Sequence, residues 1–593
     1  MRFTDIKMFS GNDLKIRGVM DDNVNFVAES QLKNAARWEK LVEPFITRED
    51  SDEFWRGEFF GKEMRGAALV YQYTKDEALY SVLTEAVKKL LATQDEYGRI
   101  ATYSVEKEFN GWDMWCRKYV MTGLQHYYRI CKDEKLKSDI ISALCRHADY
   151  IISKIGDGEG RRKITETSSW WGCVNSCTIL EPMLELFKET GEIRYKDFAE
   201  YIISMGGSSD CNFLELALEN KLMPYQYPVV KAYETMSYFE GLLAYYEITG
   251  EKKYFTAVDN FIEAVAKSDL TIIGCSGCTH ELFDNSSVKQ TEYAENIMQE
   301  TCVTVTWMRI SLRMFMQTGD SKYVDRIEKS GLNALYGSLN KKHNAIYNLL
   351  DKKFVNGMTF DSYSPLYMNS RGRGTGGYME FSHGGSCGCC EAIGACGVAL
   401  MPLTAVMKAK EGVIVNYLFN GESRLEDKNG QDFKLVFKSD YPSENNGQII
   451  VKTNGKADVG LFVRLPAFAE TIINGKNFGR GGYADLSGVY ADGDVIDVEY
   501  ITEPKVQRLN GKVAFTFGAI TLATDEEKFG RDISKIVDVD DKPAYKSINP
   551  QKDELLRVEI TLRSGEKITL SDYQSCGKNW CNANNKVTVW FNA

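Results

Sequence analysis

Cys387, Cys389 and Cys390 fall within the four residues CGCC, and Glu300 and Cys302 stand two apart upstream. Together these clusters offer three thiolates and a carboxylate, the donor types that tetrahedral zinc takes. Gly384, Gly385 and Gly388 give the cysteine segment backbone freedom to fold around an ion. In a regular strand neighbouring cysteines point to opposite faces, so the expectation for Cys389 and Cys390 is a loop. Glu300 and Cys302 would diverge by roughly 200° in mid-helix, which puts them before or at the start of a helix beginning near Val303. Any one of these thiols taken alone reads first as a buried free cysteine. The crowding of several with a carboxylate favours the metal.

The chain has 15 cysteines, an odd number scattered through segments of helical pattern, so a disulfide framework is not expected and the compartment reads as reducing. A chain of 593 residues buries enough core to need no covalent staples. The opening MRFTDIKMFSGNDLKIRG has no apolar run of signal-peptide type, and the expectation is a soluble cytoplasmic protein. A net charge of -11 argues against nucleic acid or an anionic membrane as partner. Aromatic residues reach 12%, with nine tryptophans, which suits sugar stacking and a large core alike.

A repeat must position the chemistry. Thr190-Gly191-Glu192-Ile193-Arg194-Tyr195, Thr249-Gly250-Glu251-Lys252-Lys253-Tyr254 and Thr318-Gly319-Asp320-Ser321-Lys322-Tyr323 share one pattern, with weaker copies at Thr74 and Cys131. The copies start 57, 59, 59 and 69 residues apart, each between two apolar helical runs. The glycine suits the left-handed residue that ends a helix, and the acid suits the next helix start, where the dipole favours negative charge. These are helical hairpins repeating about every 60 residues, roughly twelve helices in all, which close into an α/α ring or run open as a solenoid. Beyond residue 411 the pattern alternates instead, in GVIVNYLF, FKLVFK, QIIVKT, VGLFVRL, VIDVEY, VAFTFGAITLAT, LLRVEITL and KVTVWFN. These read as strands of one or two β-sandwich modules, and the strand-like residues 1–18 are expected to join one of their sheets.

The order Glu-Thr-Cys at 300–302 then Cys-x-Cys-Cys at 387–390 resembles glycoside hydrolase family 127, bacterial β-L-arabinofuranosidases with a zinc-bound cysteine. Val463-Arg464-Leu465-Pro466, Ile473-Asn474-Gly475, Gly482-Tyr483 and Gly493-Asp494 resemble that family's sandwich, so the likeness spans most of the chain. It implies an (α/α)6 barrel over 19–410, a β-sandwich region over 411–593, and strands in 1–18 that join it. It further implies Zn²⁺ held by Glu300, Cys302, Cys389 and Cys390, with Cys389 as nucleophile. His280-Glu281-Leu282-Phe283 matches the segment carrying the family's acid/base, which makes Glu281 that residue, and Glu328 matches a glutamate beside the sugar. Glu281 stands 19 residues before Glu300, a longer spacing than the family's, which keeps Glu292, Glu295 and Glu328 as substitutes.

The chemistry is coherent on its own terms. A retaining glycosidase needs a nucleophile and an acid/base flanking the anomeric carbon, usually two carboxylates. A thiolate kept ionised by zinc serves as the nucleophile and leaves readily in the second step.

The sugar pocket departs from the resemblance. Where the family grips hydroxyls with histidines, this chain has five histidines in all and offers Tyr119, Ser176 and Met236/Ser237, and Glu391-Ala392 follow the cysteine pair where relatives often have prolines. Trp112, Asp113, Trp115, Arg117 and Lys118, with Trp170, Trp171 and Asn175, have the side chains to face a sugar, and each suits a core position equally. The resemblance implies an exo-acting hydrolase releasing β-L-arabinofuranose or a similar rare sugar from a plant glycan, with a small carbohydrate as partner and a homodimer left open. An acidic pectin sugar of the aceric acid type is the alternative, its carboxylate held by Arg117, Lys118, Arg371 and Arg373. A non-catalytic zinc protein is the third reading, supported by Cys275-x-x-Cys278. An open pocket beside the metal discriminates against it.

Overall fold

The computed structural model describes residues 3–48, 55–277, 279, 281–292, 299–374, 378–380, 386–530 and 532–593. Cys278, His280, Glu295, Gly384 and Gly385 lie outside the described residues. The first two-thirds of the chain is rich in helices and the remainder is built of sheets.

Among the described residues the helices of ten residues or more are α1 (Ala35–Thr47), α2 (Gly57–Thr74), α3 (Glu77–Leu91), α4 (Asp113–Ile130), α5 (Glu134–Lys154), α6 (Leu180–Thr190), α7 (Ile193–Ser204), α8 (Ala232–Thr249), α9 (Lys252–Ser268), α10 (Thr301–Thr318), α11 (Ser321–Ser330) and α12 (Cys389–Ala405). The five repeat junctions are the turns α2–α3, α4–α5, α6–α7, α8–α9 and α10–α11. Gly191, Gly250 and Gly319 close α6, α8 and α10 in the left-handed conformation, with φ of 73°, 70° and 67°. Asp76, Asp133 and Asp320 then cap the next helix, each accepting backbone N–H groups of its first turn. At Cys131 the chain leaves α4 extended instead, which is why that copy of the repeat lacks the glycine.

Helices α2, α4, α8, α10 and α12 are buried nearly all round, whereas α3, α5 and α9 bury one face. The inner set packs in sequence: α2 on α4, α4 on α6, α6 on α8, α8 on α10, α10 on α12, and α12 back on α2. Residues far apart in sequence therefore meet along a common axis.

A small sheet, ordered Gln299–Glu300, Tyr363–Ser364, Arg373–Gly374, Ile346–Asn348 and Lys353–Val355, joins the start of α10 to the segment before α12. Its two- and three-residue strands are too short for any alternation to show in the sequence.

Beyond α12 the alternating segments pair as strands. A five-stranded sheet runs Lys7–Met8, Val406–Ala409, Gly412–Val415, Leu461–Arg464, Tyr483–Asp485. A seven-stranded sheet ends on Asn420–Glu426 and Leu14–Arg17, so the first residues of the chain pair into both sheets. Residues 504–592 form a further eight-stranded sheet. Arg464, in the VRLP segment, ties the strands to the helices by pairing with Glu328 of α11 at 2.5 Å. Among the described residues no helix is long and apolar enough to cross a membrane.

Candidate functional site

The four residues expected to hold the metal converge. One ligand atom from each of Glu300, Cys302, Cys389 and Cys390 lies within 4.8 Å of the others. The Cys302 and Cys390 sulfurs are 3.5 Å apart, those of Cys389 and Cys390 3.8 Å, and Cys390 Sγ is 3.5 Å from Glu300 Oε1. Ligands about 2.3 Å from a tetrahedral centre stand roughly 3.8 Å from one another, so the spacing fits a closed Cys₃Glu shell. Glu300 Oε2 is buried and accepts no hydrogen bond, as expected of an atom reserved for a cation. The residues fit zinc.

Two helix starts build this cluster. Glu300 is the residue before α10 and Cys302 its second residue, since the helix begins at Thr301, two positions before the start expected near Val303. Cys389 and Cys390 open α12 directly after the strand Ser386–Gly388, with Gly388 extended at the cap. The expected loop is therefore a helix start: neighbours in a first turn diverge by only ~100°, and both sulfurs reach one point. Unsatisfied N–H groups at both helix starts favour anionic ligands there.

Burial raises the thiols of Cys302 and Cys390 well above the ordinary range. Cys389 goes the other way, held well below it by hydrogen bonding from those two thiols, with Lys62 and Lys231 adding to the effect. Cys389 is also the one member of the cluster that is not fully buried. Burial and the Cys389 thiolate push the Glu300 carboxyl up to about 8.

A cavity of about 180 Å³ opens on the cluster, and Glu300, Cys302 and Cys389 are in its wall. Glu281 is there too, fixed by the Lys231 ammonium and by Tyr363, whose hydroxyl donates to Glu281 Oε1 at 2.9 Å. Glu281 takes a left-handed backbone conformation, φ 70°, in a segment paired with residues 230–232, a strain of the kind that collects at functional sites. Trp112 and Trp115 line the same cavity.

Other candidates lie elsewhere, each for a local reason. Asp113 accepts from Phe109 N–H at 2.8 Å and Arg117 Nε at 2.9 Å, while Arg117 also pairs with Glu108, so both are committed to the start of α4. Tyr119 is buried behind the wall with its hydroxyl on that of Tyr233, which does line the cavity. Asn175 donates to Gly111 O at 3.2 Å, and Ser176 and Ser237 are fully buried outside the lining, as is Met236. Glu328 is spent on Arg464 and on Tyr441, whose hydroxyl donates to it at 2.8 Å, at the junction with the sheets. Trp171 stands beside Lys231, outside the cavity wall itself.

The cations expected to hold an acidic sugar are committed as well. Arg371 donates to Cys576 O and Tyr573 O, both at 2.8 Å, in the last sheet region, and Arg373 donates to Ser370 Oγ at 2.9 Å. Lys118 is buried against the rings of Trp115 and Tyr119. Cys275, buried and pushed up to about 12, sends its thiol toward the carbonyls of Gly277 and Glu300, apart from the four-ligand group.

Sequence reasoning missed Trp55, Glu58, Lys62, Lys231, Tyr233 and Glu234, all in the wall. Glu58 and Lys62 pair at 2.9 Å, Trp115 Nε1 also donates to Glu58, and burial pushes that carboxyl up to about 8 against the pull of Lys62. Lys62 approaches Cys302 Sγ at 3.9 Å. The signal available was the spacing of 58, 62 and 65, charged residues on one stripe of a helix that is otherwise mostly apolar.

A family model described as the β-L-arabinofuranosidase GH127 catalytic domain matches residues 15–399, and one described as the GH127 middle domain matches 412–501. In structure the chain is similar to a GH127 β-arabinofuranosidase, TM-score 0.77 at 17% identity, over 99% of this chain and 98% of that one. It is similar to a GH127 β-L-arabinofuranosidase of Geobacillus stearothermophilus T6, TM-score 0.71 at 17% identity, over 98% and 100%. A third similar structure is titled a glycoside hydrolase, TM-score 0.71 at 16% identity, over 99% and 97%. No curated protein matches the chain. The catalytic-domain match covers more than half of its length, and the chain belongs to glycoside hydrolase family 127, the β-L-arabinofuranosidase family.

Proposed function

We propose that this glycoside hydrolase is a retaining, exo-acting enzyme that releases β-L-arabinofuranose from a plant glycan, with Cys389 as nucleophile and Glu281 as acid/base. The observation that carries the reading is the half-buried Cys389 sulfur in the wall of a cavity that Glu281 shares. The helical region, 19–410, is read as an (α/α)6 barrel from the return of α12 onto α2, followed by sandwich modules over 411–593 that residues 1–18 join. Family membership and the two similar arabinofuranosidases favour the sugar.

In the first step the Cys389 thiolate attacks the anomeric carbon as the bond to the leaving oxygen breaks, and Glu281 delivers its proton to that oxygen. A glycosyl group is then held on Cys389 Sγ. Glu281, now ionised, takes a proton from water, whose oxygen attacks the anomeric carbon and returns the electron pair to sulfur. Two displacements retain the configuration. Zinc bound by Glu300, Cys302, Cys389 and Cys390 would keep the sulfur ionised at neutral pH and make it a better leaving group. Lys231 and Tyr363 orient Glu281 by hydrogen bonds.

The cavity is below the roughly 300–1,000 Å³ that encloses drug-sized ligands, which suits one terminal pentose and hence exo-action. A neutral sugar is favoured over an acidic one, because the lining cations Lys62 and Lys231 are taken by Glu58 and Glu281. The test is hydrolysis of a chromogenic β-L-arabinofuranoside, followed by NMR of the first-formed sugar, beside the α-anomer and an acidic furanoside. Release of β-L-arabinofuranose with β configuration supports the reading. Turnover of the acidic sugar alone, or an inverted first product, overturns it.

A further inference from the structure

The cavity over Cys389 has room for no more than one small sugar, so the rest of a longer substrate would lie outside it. Two tryptophans stand at that place. Trp112 is in the cavity wall and only 8% exposed, and the ring of Trp170 stacks on it with centroids 6.5 Å apart and planes 27° apart, yet Trp170 is 46% exposed. Trp171 is 36% exposed, and the centroid of its ring is 5.7 Å from the ammonium of Lys231, another wall residue. Each exposed indole thus touches the cavity's own lining.

The backbone there is strained. Trp171, Gly172 and Cys173 are left-handed in succession, with φ of 51°, 57° and 63°. Two are not glycine, and such strain persists only where the surroundings impose it. Here they do: the Cys173 thiol donates to Ser168 O at 2.8 Å and Thr165 O at 3.0 Å, and Gly172 O accepts from Ser209 N–H at 2.8 Å. A Cβ on Gly172 would lie 2.4 Å from Ser208 Oγ, so the turn cannot relax sideways. Two adjacent large apolar side chains left partly exposed on a strained, pinned turn make a patch of the kind that meets a ligand.

Resting on the reading above, we propose that Trp170 and Trp171 form the leaving-group subsite and take the second sugar ring of an oligosaccharide by its C–H face. Flat indole faces suit such rings. The exposed Asp210 carboxylate beside Gly172 offers an acceptor for the hydroxyls of a sugar, which a plain alkyl aglycone lacks.

Trp170→Ala and Trp171→Ala in the full chain test this. Each should lower kcat/KM on a β-L-arabinofuranosyl disaccharide roughly ten-fold, mainly through KM, and change the methyl glycoside less than about two-fold. Equal losses on both substrates, or none on either, overturn the subsite. Titrating the disaccharide into Cys389→Ala protein while following tryptophan fluorescence separates this claim from the reaction itself. Quenching that Trp170→Ala abolishes supports the platform even if turnover fails. Quenching that survives both tryptophan substitutions, or no binding at all, overturns the platform.

Discussion

The Arg37 guanidinium lies 3.4 Å from the carboxylate of Glu391, the residue that follows the cysteine pair, and both side chains are buried. Arg37 also pairs with Glu63 at 2.5 Å and donates to Ser386 O at 3.0 Å. Glu391 in turn accepts from Thr359 N–H at 2.6 Å and Phe360 N–H at 2.9 Å. Glu391 thus braces the strand-to-helix junction that carries Cys389 and Cys390.

Arg37→Met strands two carboxylates in the core and should cost about 3–5 kcal/mol of stability, read from denaturant midpoints. Glu391→Gln keeps an oxygen for the backbone donors and should cost less. A loss under about 1 kcal/mol in Arg37→Met would show that the network is no brace.

Protein purified without chelator should contain near one equivalent of zinc per chain by elemental analysis. Cys390→Ser should lower that content, because the residue is buried away from the cavity and serves only the cluster. A folded wild type free of metal under these conditions excludes the assignment.

Cys389→Ala should leave at most a few per cent of wild-type turnover. A haloacetamide-bearing arabinofuranosylamine should label Cys389 and no other cysteine, mapped by peptide mass spectrometry. The other cluster thiols, Cys302 and Cys390, are fully buried while Cys389 is not, so labelling on either would move the nucleophile.

Glu281→Gln separates two substrate classes. A general acid matters most for a poor leaving group, so turnover of an alkyl glycoside should fall ~10²–10⁴-fold while the first step on an activated aryl glycoside falls much less. Azide should restore the second step, since it needs no base. Equal losses without rescue would shift the role to Glu58 or Glu234, the other carboxylates in the wall outside the metal cluster.

Lys118 offers a pH test. Burial lowers its ammonium to about 7 from 10.5, and its Nζ has no hydrogen-bond partner. Below pH about 7 the folded state carries a buried charge and the full penalty applies. As pH rises toward the unfolded value of ~10.4 the penalty disappears. Lys118→Met should therefore be more stable than wild type by a few kcal/mol at pH 7, with the difference shrinking steadily by pH 10. A difference independent of pH would show that the amine titrates alike in the folded and unfolded states, as a solvated lysine does.

The hairpin turns were legible because a left-handed glycine followed by an acid is a local signal. The four-residue cluster was legible because its members fall within two short segments. Glu58, Lys62, Lys231 and Glu234 were not, since only the packing of α12 back onto α2 gathers positions so distant in sequence. Asp113, Arg117 and Glu328 misled for the opposite reason. Their types suit a sugar, but a partner four residues away or on a distant strand claims them first. The strand Asn420–Glu426, NGESRLE, escaped notice because its exposed face is charged and its buried face offers only Ser423 and Leu425.

Thr4 N–H donates to the Glu411 carboxylate across 407 residues of chain, beside the strand Lys7–Met8 that pairs with Val406–Ala409. During synthesis at ~5–20 residues per second, the opening strands wait roughly 20–80 s for their partners to emerge. Throughout that interval two short strands carry unpaired backbone groups open to a wrong edge. One stage of folding is thus set by the order of translation, and a chaperone that shields these two strands as they emerge should raise the yield of native enzyme more than one acting on the finished chain.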